Sequence, residues 1–422
     1  MSLRILQVCD LFEPFIGGLE QHVKTLSLGL ARRGHEVTVA TARLPGTADD
    51  ESVDGLRVRR IAGWSARTLA GWYEQASVPF HPPAPDPGVV VALNRIIGQV
   101  RPDIVHAQGW ISYSCLAAAR QRRFRLVVTL HDHSFACARK TLLYHGVDPC
   151  PGPRLGACLR CAPGQYGLAK GTALTLGLRA ARPLHRRADS WVAISQFVAD
   201  ASRCALPPGC PVSVIPPTSA PVPPSAGRPA WLPADGYALF VGALGRHKGL
   251  GWLLDAYAGG GFGRPLVVIG TTRGDTPRSW PEGVVVRTDV PHREVMAAWR
   301  HAGIGLVPSL WPEPFGLVAV EAMRSGVPVV ASRIGALPAV VADGRTGILV
   351  TPGSTAELRA AIRRLDGDPD LRQAMGAAGR AHAGQFSAET VTARYEQHYR
   401  TLLAEDQGAG AARGVPAGRN PR

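Results

Sequence analysis

The chain is short of several things, and each shortage closes off a class of function. Only four lysines stand among its 47 basic residues, so its positive charge is carried by arginine. No uninterrupted apolar run reaches the ~18–20 residues that a bilayer-spanning helix needs. The N-terminus, MSLRILQVCDLF, has a short apolar core and no small-residue cleavage site. It reads as a first strand, not a secretion signal, and the expected location is the cytoplasm. Aromatics make up 6% of the chain, and no aromatic-interleaved module or recognised DNA-binding motif accompanies the basic residues. Nucleic acid is therefore not an expected partner. The first glycine loop lacks the spaced G-x-G-x-x-G fingerprint, which argues against a nicotinamide dinucleotide.

What is there is an ordinary globular composition of 422 residues, 45% apolar and 19% charged. That length suffices for two or three domains, each with its own core. The net charge of +15 is uneven, with about +10 falling in residues 1–190. Runs RQRRFR (120–125) and RAARPLHRR (179–187) concentrate it. A solvated basic face, an anionic membrane surface and a phosphate-bearing substrate all fit this balance.

Residues 3–9 form an apolar strand, followed by a loop ending in Gly17-Gly18 and a helix with Val23, Leu26 and Leu30 at helical spacing. Gly34 ends that helix and residues 35–41 form a second strand, a βαβ opening to a parallel sheet. Gly17 and Gly18 let backbone close on a ligand at the helix start, or simply make a tight turn. Residues 103–106 and 126–130 are further buried strands, each ending in or followed by a histidine, His106 and His131. His131 lies at the carboxyl end of its strand, where open α/β sheets bind ligands, and Asp132 is placed to orient it. Residues 190–195 and 211–215 complete the first domain. Residues 216–235, rich in proline and small residues, read as a linker. A second βαβ system opens at residue 237, and its loop GALGRHKG places Arg246 and Lys248 near a helix start.

The rest of the chain is organised around residues 307–321, VPSLWPEPFGLVAVE. A strand over 304–307 runs into a loop that holds Glu313 between two prolines, and a helix follows. The N–H groups of Phe315, Gly316 and Leu317 stand at the helix start, where an anion can approach. Glu321 lies roughly 7–8 Å further along the helix axis. Such an offset suits a ligand with a diphosphate at the helix start, a sugar on one side and a ribose on the other.

Glu313-Pro-Phe-Gly followed by Glu321 resembles the E-x7-E signature of the retaining, GT-B-type glycosyltransferases of family 4, and the resemblance extends to about residue 403. It implies two Rossmann-like domains facing each other across a cleft, with a C-terminal helix crossing back to the first. The boundaries are an acceptor-side domain at 1–215, a linker at 216–235 and a nucleotide-sugar domain at 236–385. A returning helix over 386–403 and a disordered tail over 404–422 follow. By the same resemblance Gly17 and Gly18 meet the donor phosphates, and Lys248, Arg246 and the Phe315–Leu317 amides stabilise the departing diphosphate. Glu321 holds the ribose, Glu313 the donor sugar and His131 the acceptor side. The implied activity is metal-independent transfer of a sugar, with retention, from a nucleotide-diphosphate sugar, UDP being the commonest base. The acceptor is a hydroxyl on a glycan, a lipid-linked glycan or a natural product. A lipid-linked acceptor would bring the protein to the inner face of the plasma membrane as a peripheral partner.

Two departures keep a second class open. Ala243 stands where the family usually has arginine, and Ala339 where it often has glutamate. A non-catalytic nucleotide-sugar-binding subunit would tolerate both. Apart from the family pattern, Cys137, Cys150, Cys158 and Cys161 fall in one loop-rich segment over 132–187. The last two form a C-x-x-C pair. They are a candidate structural zinc clip, with His133 and His145 as alternative ligands, or else four unlinked thiols. The aspartates of DGDPD (366–370) read as an interhelical turn, not a metal site.

Overall fold

The computed structural model describes the chain apart from residues 16, 69–80, 119–122, 220–226, 235, 260 and 414–422. Its first half is built on an eight-stranded sheet, in the order β10-β9-β6-β5-β1-β2-β4-β3. The central strands β1 (Arg4–Cys9), β2 (Glu36–Ala42), β5 (Ile104–Gln108), β6 (Arg125–Leu130) and β9 (Ser190–Ala193) are parallel, with β10 (Val212–Val214) at one edge. Their near-continuous Val, Ile and Leu runs follow from burial on both faces by the crossover helices. At the other edge β3 (Asp50–Val53) turns back on β4 (Leu56–Ile61) as an antiparallel hairpin. Asp54 and Gly55 both take positive φ in its turn, the two-residue geometry that matches strand twist.

The second half is a six-stranded, wholly parallel sheet, β13-β12-β11-β14-β15-β16. Its strands are β11 (Ala238–Val241), β12 (Leu266–Gly270), β13 (Val285–Thr288), β14 (Ile304–Val307), β15 (Val329–Ser332) and β16 (Gly347–Val350). These two doubly wound domains are the expected architecture, with the expected strands displaced by a residue or two. The linker expected over 216–235 lies partly outside the described residues.

The last helix, Ala388–Arg413, returns to the first domain. Tyr395 and Tyr399, one turn apart on a single face, are fully buried there. The Tyr399 hydroxyl pairs with His106 Nδ1 (2.7 Å), and His106 Nε2 pairs with Thr129 Oγ1 (2.6 Å). His106 is thus a buried anchor for this helix. Glu396 takes Arg33 and Arg400 as partners, which hold its carboxyl at about 2 against the opposing effect of burial. The helix runs ten residues further than the expected end at 403, because AEDQGAGAAR is rich in helix formers.

Residues 132–187 are more regular than their glycines and prolines suggest. A small hairpin, β7 (Leu143–Tyr144) with β8 (Asp148–Pro149), is followed by helices Leu155–Cys161, Pro163–Tyr166 and Leu168–Ala180. At Asp366–Asp370 the turn reading holds: Asp368 caps the Pro369–His382 helix through Leu371 N–H (2.9 Å), and Asp366 pairs with Arg264 (2.5 Å).

Candidate active site

At the end of β14 the chain enters Pro308 and a buried Ser309. Glu313 sits in the following loop, 5% exposed. Its Oε1 accepts from Lys248 Nζ and from Ser309 Oγ, both at 2.6 Å. Burial pushes this carboxyl upward, but the Lys248 charge and the hydrogen bonds around it outweigh that, so its pKa lies below the usual carboxylate range. Lys248 ends the short turn Arg246–Lys248 after β11, and its ammonium also lies 4.9 Å from the centre of the Trp311 ring.

Backbone packing fixes this pair. Gly249 has φ +73°, and a Cβ there would collide with the Pro308 carbonyl. Leu310 N–H donates to His247 O (2.8 Å), lacing the Lys248 loop to the Glu313 loop. Gly335, at φ +61°, presses against the Glu313 backbone so closely that a side chain would displace it, and Ala336 N–H donates to Glu313 O (2.8 Å). The Gly335-Ala336 loop is therefore the cradle of Glu313. The first domain reaches across to the same loop: His133 Nε2 donates to Pro312 O (3.1 Å) and Ser195 Oγ to Pro314 O (2.6 Å).

Gly316, in the left-handed region at φ +95°, starts helix Leu317–Arg324 without a side-chain cap. A Cβ on Gly316 would stand 2.6 Å from Leu337 Cδ2. Across the cleft, the position a Cβ would take on Gly18 is 3.4 Å from Leu317 Cδ1. The first residue of helix Gly18–Arg32 thus lies against the first residue of Leu317–Arg324. One residue escaped the sequence reading. Glu20 folds back so that its Oε2 lies 2.5 Å from where a Gly17 Cβ would be, and burial chiefly raises its carboxyl to about 7, with Asp10 adding to the shift.

Glu321 is half-buried on the Leu317–Arg324 helix. Burial raises it to about 7, although Trp299 and Arg324 pull the other way. Arg246 is exposed, and its backbone N–H donates to Asp275 Oδ2 (2.7 Å), tying the loop after β12 to the Arg246–Lys248 turn. Ala243 is half-buried at the head of the same loop.

In the first domain His131 follows β6, and its Nε2 lies 2.6 Å from Gln108 Oε1. Gln108 Nε2 in turn donates to Gln7 Oε1 (2.9 Å), so its oxygen is the end that faces the imidazole. With the amides so placed, His131 Nε2 is the donor and Nδ1 an acceptor. Burial pushes His131 down to about 3, with His106 adding to the shift. The expected orienting residue, Asp132, does not play that part: its Oδ1 accepts from Ser134 N–H (2.8 Å), a local turn that draws it away. Gln108, on the neighbouring strand, does so instead.

The four cysteines are not assembled as a ligand set. Among the described residues, no group of three or more His, Cys, Asp or Glu side chains is placed to hold a metal ion. The helix Leu155–Cys161 puts the C-x-x-C pair three residues apart on a helix, and Cys161 Sγ turns to His145 N–H (3.2 Å). His133 is committed to Pro312. The thiols remain neighbours: Cys158 is raised to about 11, first by burial and then by Cys137, Cys150 and Cys161.

The family description Glycosyltransferase Family 4 matches residues 16–218, and Glycosyl transferases group 1 matches residues 230–382. The D-inositol 3-phosphate glycosyltransferase of Arthrobacter sp. is 29% identical over 427 residues, covering 96% of this chain and 94% of its own. The glycogen synthase of Mycobacterium tuberculosis is 28% identical over 441 residues, covering 94% of each. Among solved structures, a sucrose-phosphate synthase from Thermosynechococcus elongatus superposes with TM-score 0.70 at 21% identity, over 95% of this chain and all of its own. Anabaena HepE, solved in complex with UDP and glucose, superposes with TM-score 0.64 at 19% identity, over 95% and 100%. These likenesses establish the two-domain GT-B fold.

Proposed function

From the premise that the chain belongs to the family 4 glycosyltransferases, we propose that it moves a hexosyl group from a UDP-sugar to an acceptor hydroxyl, with retention and without a catalytic metal. The acceptor is a glycan, a lipid-linked glycan or a natural product. The observation that carries this reading is the Lys248–Glu313 pair, with the close approach of the first residues of helices Gly18–Arg32 and Leu317–Arg324.

The donor diphosphate lies against the Phe315, Gly316 and Leu317 amides and the Lys248 ammonium, with Arg246 supplying the second cation in place of the arginine that Ala243 replaces. Gly17 and Gly18 close on it from the first domain once the Glu20 carboxyl gives way. Positive charge develops at the anomeric carbon as its bond to the diphosphate oxygen breaks, and the ionised Glu313 stabilises that charge. Attack from the departing face gives retention and leaves the diphosphate oxygen as the nearest base for the acceptor proton. Neutral His131 positions the acceptor hydroxyl through Nδ1, and Glu321 accepts from the ribose diol. Lys248, fixed by Glu313, is the cation that meets negative charge on the leaving group.

The test is product formation by the purified chain alone, with UDP-hexoses and hydroxyl acceptors, and the anomeric configuration of the product read by NMR. A retained glycoside whose formation is lost in Glu313→Ala supports the assignment. Donor binding without transfer would move the chain to the non-catalytic class. Unfolding in the presence of UDP, GDP, ADP and dTDP identifies the base, since only a ligand of the native state shifts the transition; the proposal requires the shift with UDP.

A further inference from the structure

We propose that the helical insertion after His131 is a docking surface for an anionic lipid bilayer, centred on the exposed face of the Leu168–Ala180 helix. This rests on the reading of the cleft as a transferase site, because a bilayer would be the source of a lipid-linked acceptor.

Three independent observations meet at this surface. First, its apolar side chains face solvent. Seven large hydrophobic residues are exposed among the described residues, and four of them, Val147, Leu155, Leu168 and Leu176, belong to the insertion. Leu168 is 77% exposed and Leu176 48%. The other faces of this helix are occupied. A Cβ on Gly171 would collide with Pro163, Gly177 approaches Pro83, and Leu174 and Leu178 are buried. The exposed positions between them are Leu168, Ala169, Ala173, Leu176, Arg179 and Ala180. A water-facing stripe with no charge but a terminal arginine is not what a solvated helix shows.

Second, the charge around this stripe is of one sign. Between Asp148 and Asp189 there is no acidic residue, and there are seven basic ones. Arg160, Arg179 and Arg186 are exposed. A leucine stripe rimmed by arginines fits the boundary of a bilayer, where the apolar groups enter the acyl region and the guanidiniums stay at anionic headgroups. A second copy of the chain fits poorly, since its matching face carries the same positive charge.

Third, the insertion is joined to the cleft by a short stretch of chain fixed at several points. The chain passes from His131 through His133, which bonds to Pro312, and Ser134, whose carbonyl accepts from Trp110 Nε1 (3.1 Å). It enters the insertion at Lys140, whose ammonium lies 4.1 Å from the Trp110 ring centre. No helix among the described residues is long and apolar enough to cross a membrane.

The experiment is co-sedimentation of the full chain with vesicles of phosphatidylcholine alone and of phosphatidylcholine mixed with phosphatidylglycerol, for wild type, L168Q/L176Q and R160E/R179E. The wild type is expected to pellet with the mixed vesicles, to be released by salt and to remain in solution with phosphatidylcholine alone. Both variants are expected to bind roughly tenfold more weakly or less, while the UDP-induced shift in their unfolding stays that of wild type. That shift separates loss of docking from misfolding and from failure of the transferase reading. Equal pelleting of wild type and variants, or none by wild type, would overturn the proposal. So would a wild-type dimer in solution that L168Q/L176Q converts to monomer, which would assign the stripe to a protein interface.

Discussion

The cleft treats charge in opposite ways at Glu313 and at its other buried groups, Glu321 in the same domain included. On the second-domain side Glu313 is nearly sealed from water and still ionised, because Lys248 and Ser309 are both 2.6 Å from one of its oxygens. On the first-domain side burial suppresses charge. His22, His106 and His131 all lie below the ordinary imidazole range, and Glu20 rises to about 7. The difference matches what Lys248 and His131 are proposed to meet. A diphosphate leaving group needs a fixed cation, whereas a sugar hydroxyl is held by neutral donors and acceptors. A charged imidazole there would add desolvation cost without a partner.

The largest effect expected from breaking this contrast comes from Lys248→Met. Glu313 would be left buried without its cation, and stability of the unliganded protein should fall by about 3–5 kcal/mol, read by urea unfolding. Next is Glu313→Ala, in which turnover should drop by roughly 10²–10³-fold while UDP still binds; wild-type turnover would remove the assignment.

Glu321→Gln sharpens the comparison through pH. The folded pKa of about 7 lies above the unfolded value. Wild-type stability from this group is therefore fully present below the unfolded pKa, near ~4.3, and is lost as pH rises through 7. Glutamine cannot ionise, so the variant should gain on the order of 2 kcal/mol over wild type at pH 8 and little at pH 4, while its UDP affinity falls. A difference independent of pH would contradict the buried, raised carboxyl. The smallest effect belongs to His131→Asn, which exchanges one neutral side chain for another. Acceptor kcat/KM should fall about tenfold, the scale of one hydrogen bond, with no inflection attributable to His131 between pH 5 and 9 in the wild type. An inflection abolished by the substitution would show that His131 titrates.

The second domain was the more legible half. Glu313, Gly316 and Glu321 announce themselves locally, through prolines, a helix start and spacing on one helix. What holds Glu313 in place is not local. Gly249 and Gly335 are indispensable because of the Pro308 carbonyl and the Glu313 backbone, contacts with distant parts of the chain that no short pattern encodes. In the first domain His131 was found by its strand end, but its partner was misassigned. Asp132 is adjacent in sequence, whereas Gln108 is adjacent only across the sheet, in the β5–β6 pairing. The glycines, prolines and cysteines scattered through the insertion suggest loop. Its helices are stabilised instead by tertiary approach, as where Gly171 seats one helix against Pro163.

Lys248, held by Glu313, is the fixed positive charge proposed to meet the donor diphosphate. The most direct test of this role is the stabilisation by UDP of wild type and of Lys248→Met, each measured against its own unliganded form. With UDP at about 100 times the wild-type dissociation constant, wild type should gain about 2.7 kcal/mol and the variant almost nothing. Equal gains in the two proteins would mean that Lys248 does not meet the diphosphate, and the charge contrast within the cleft would have no bearing on donor binding.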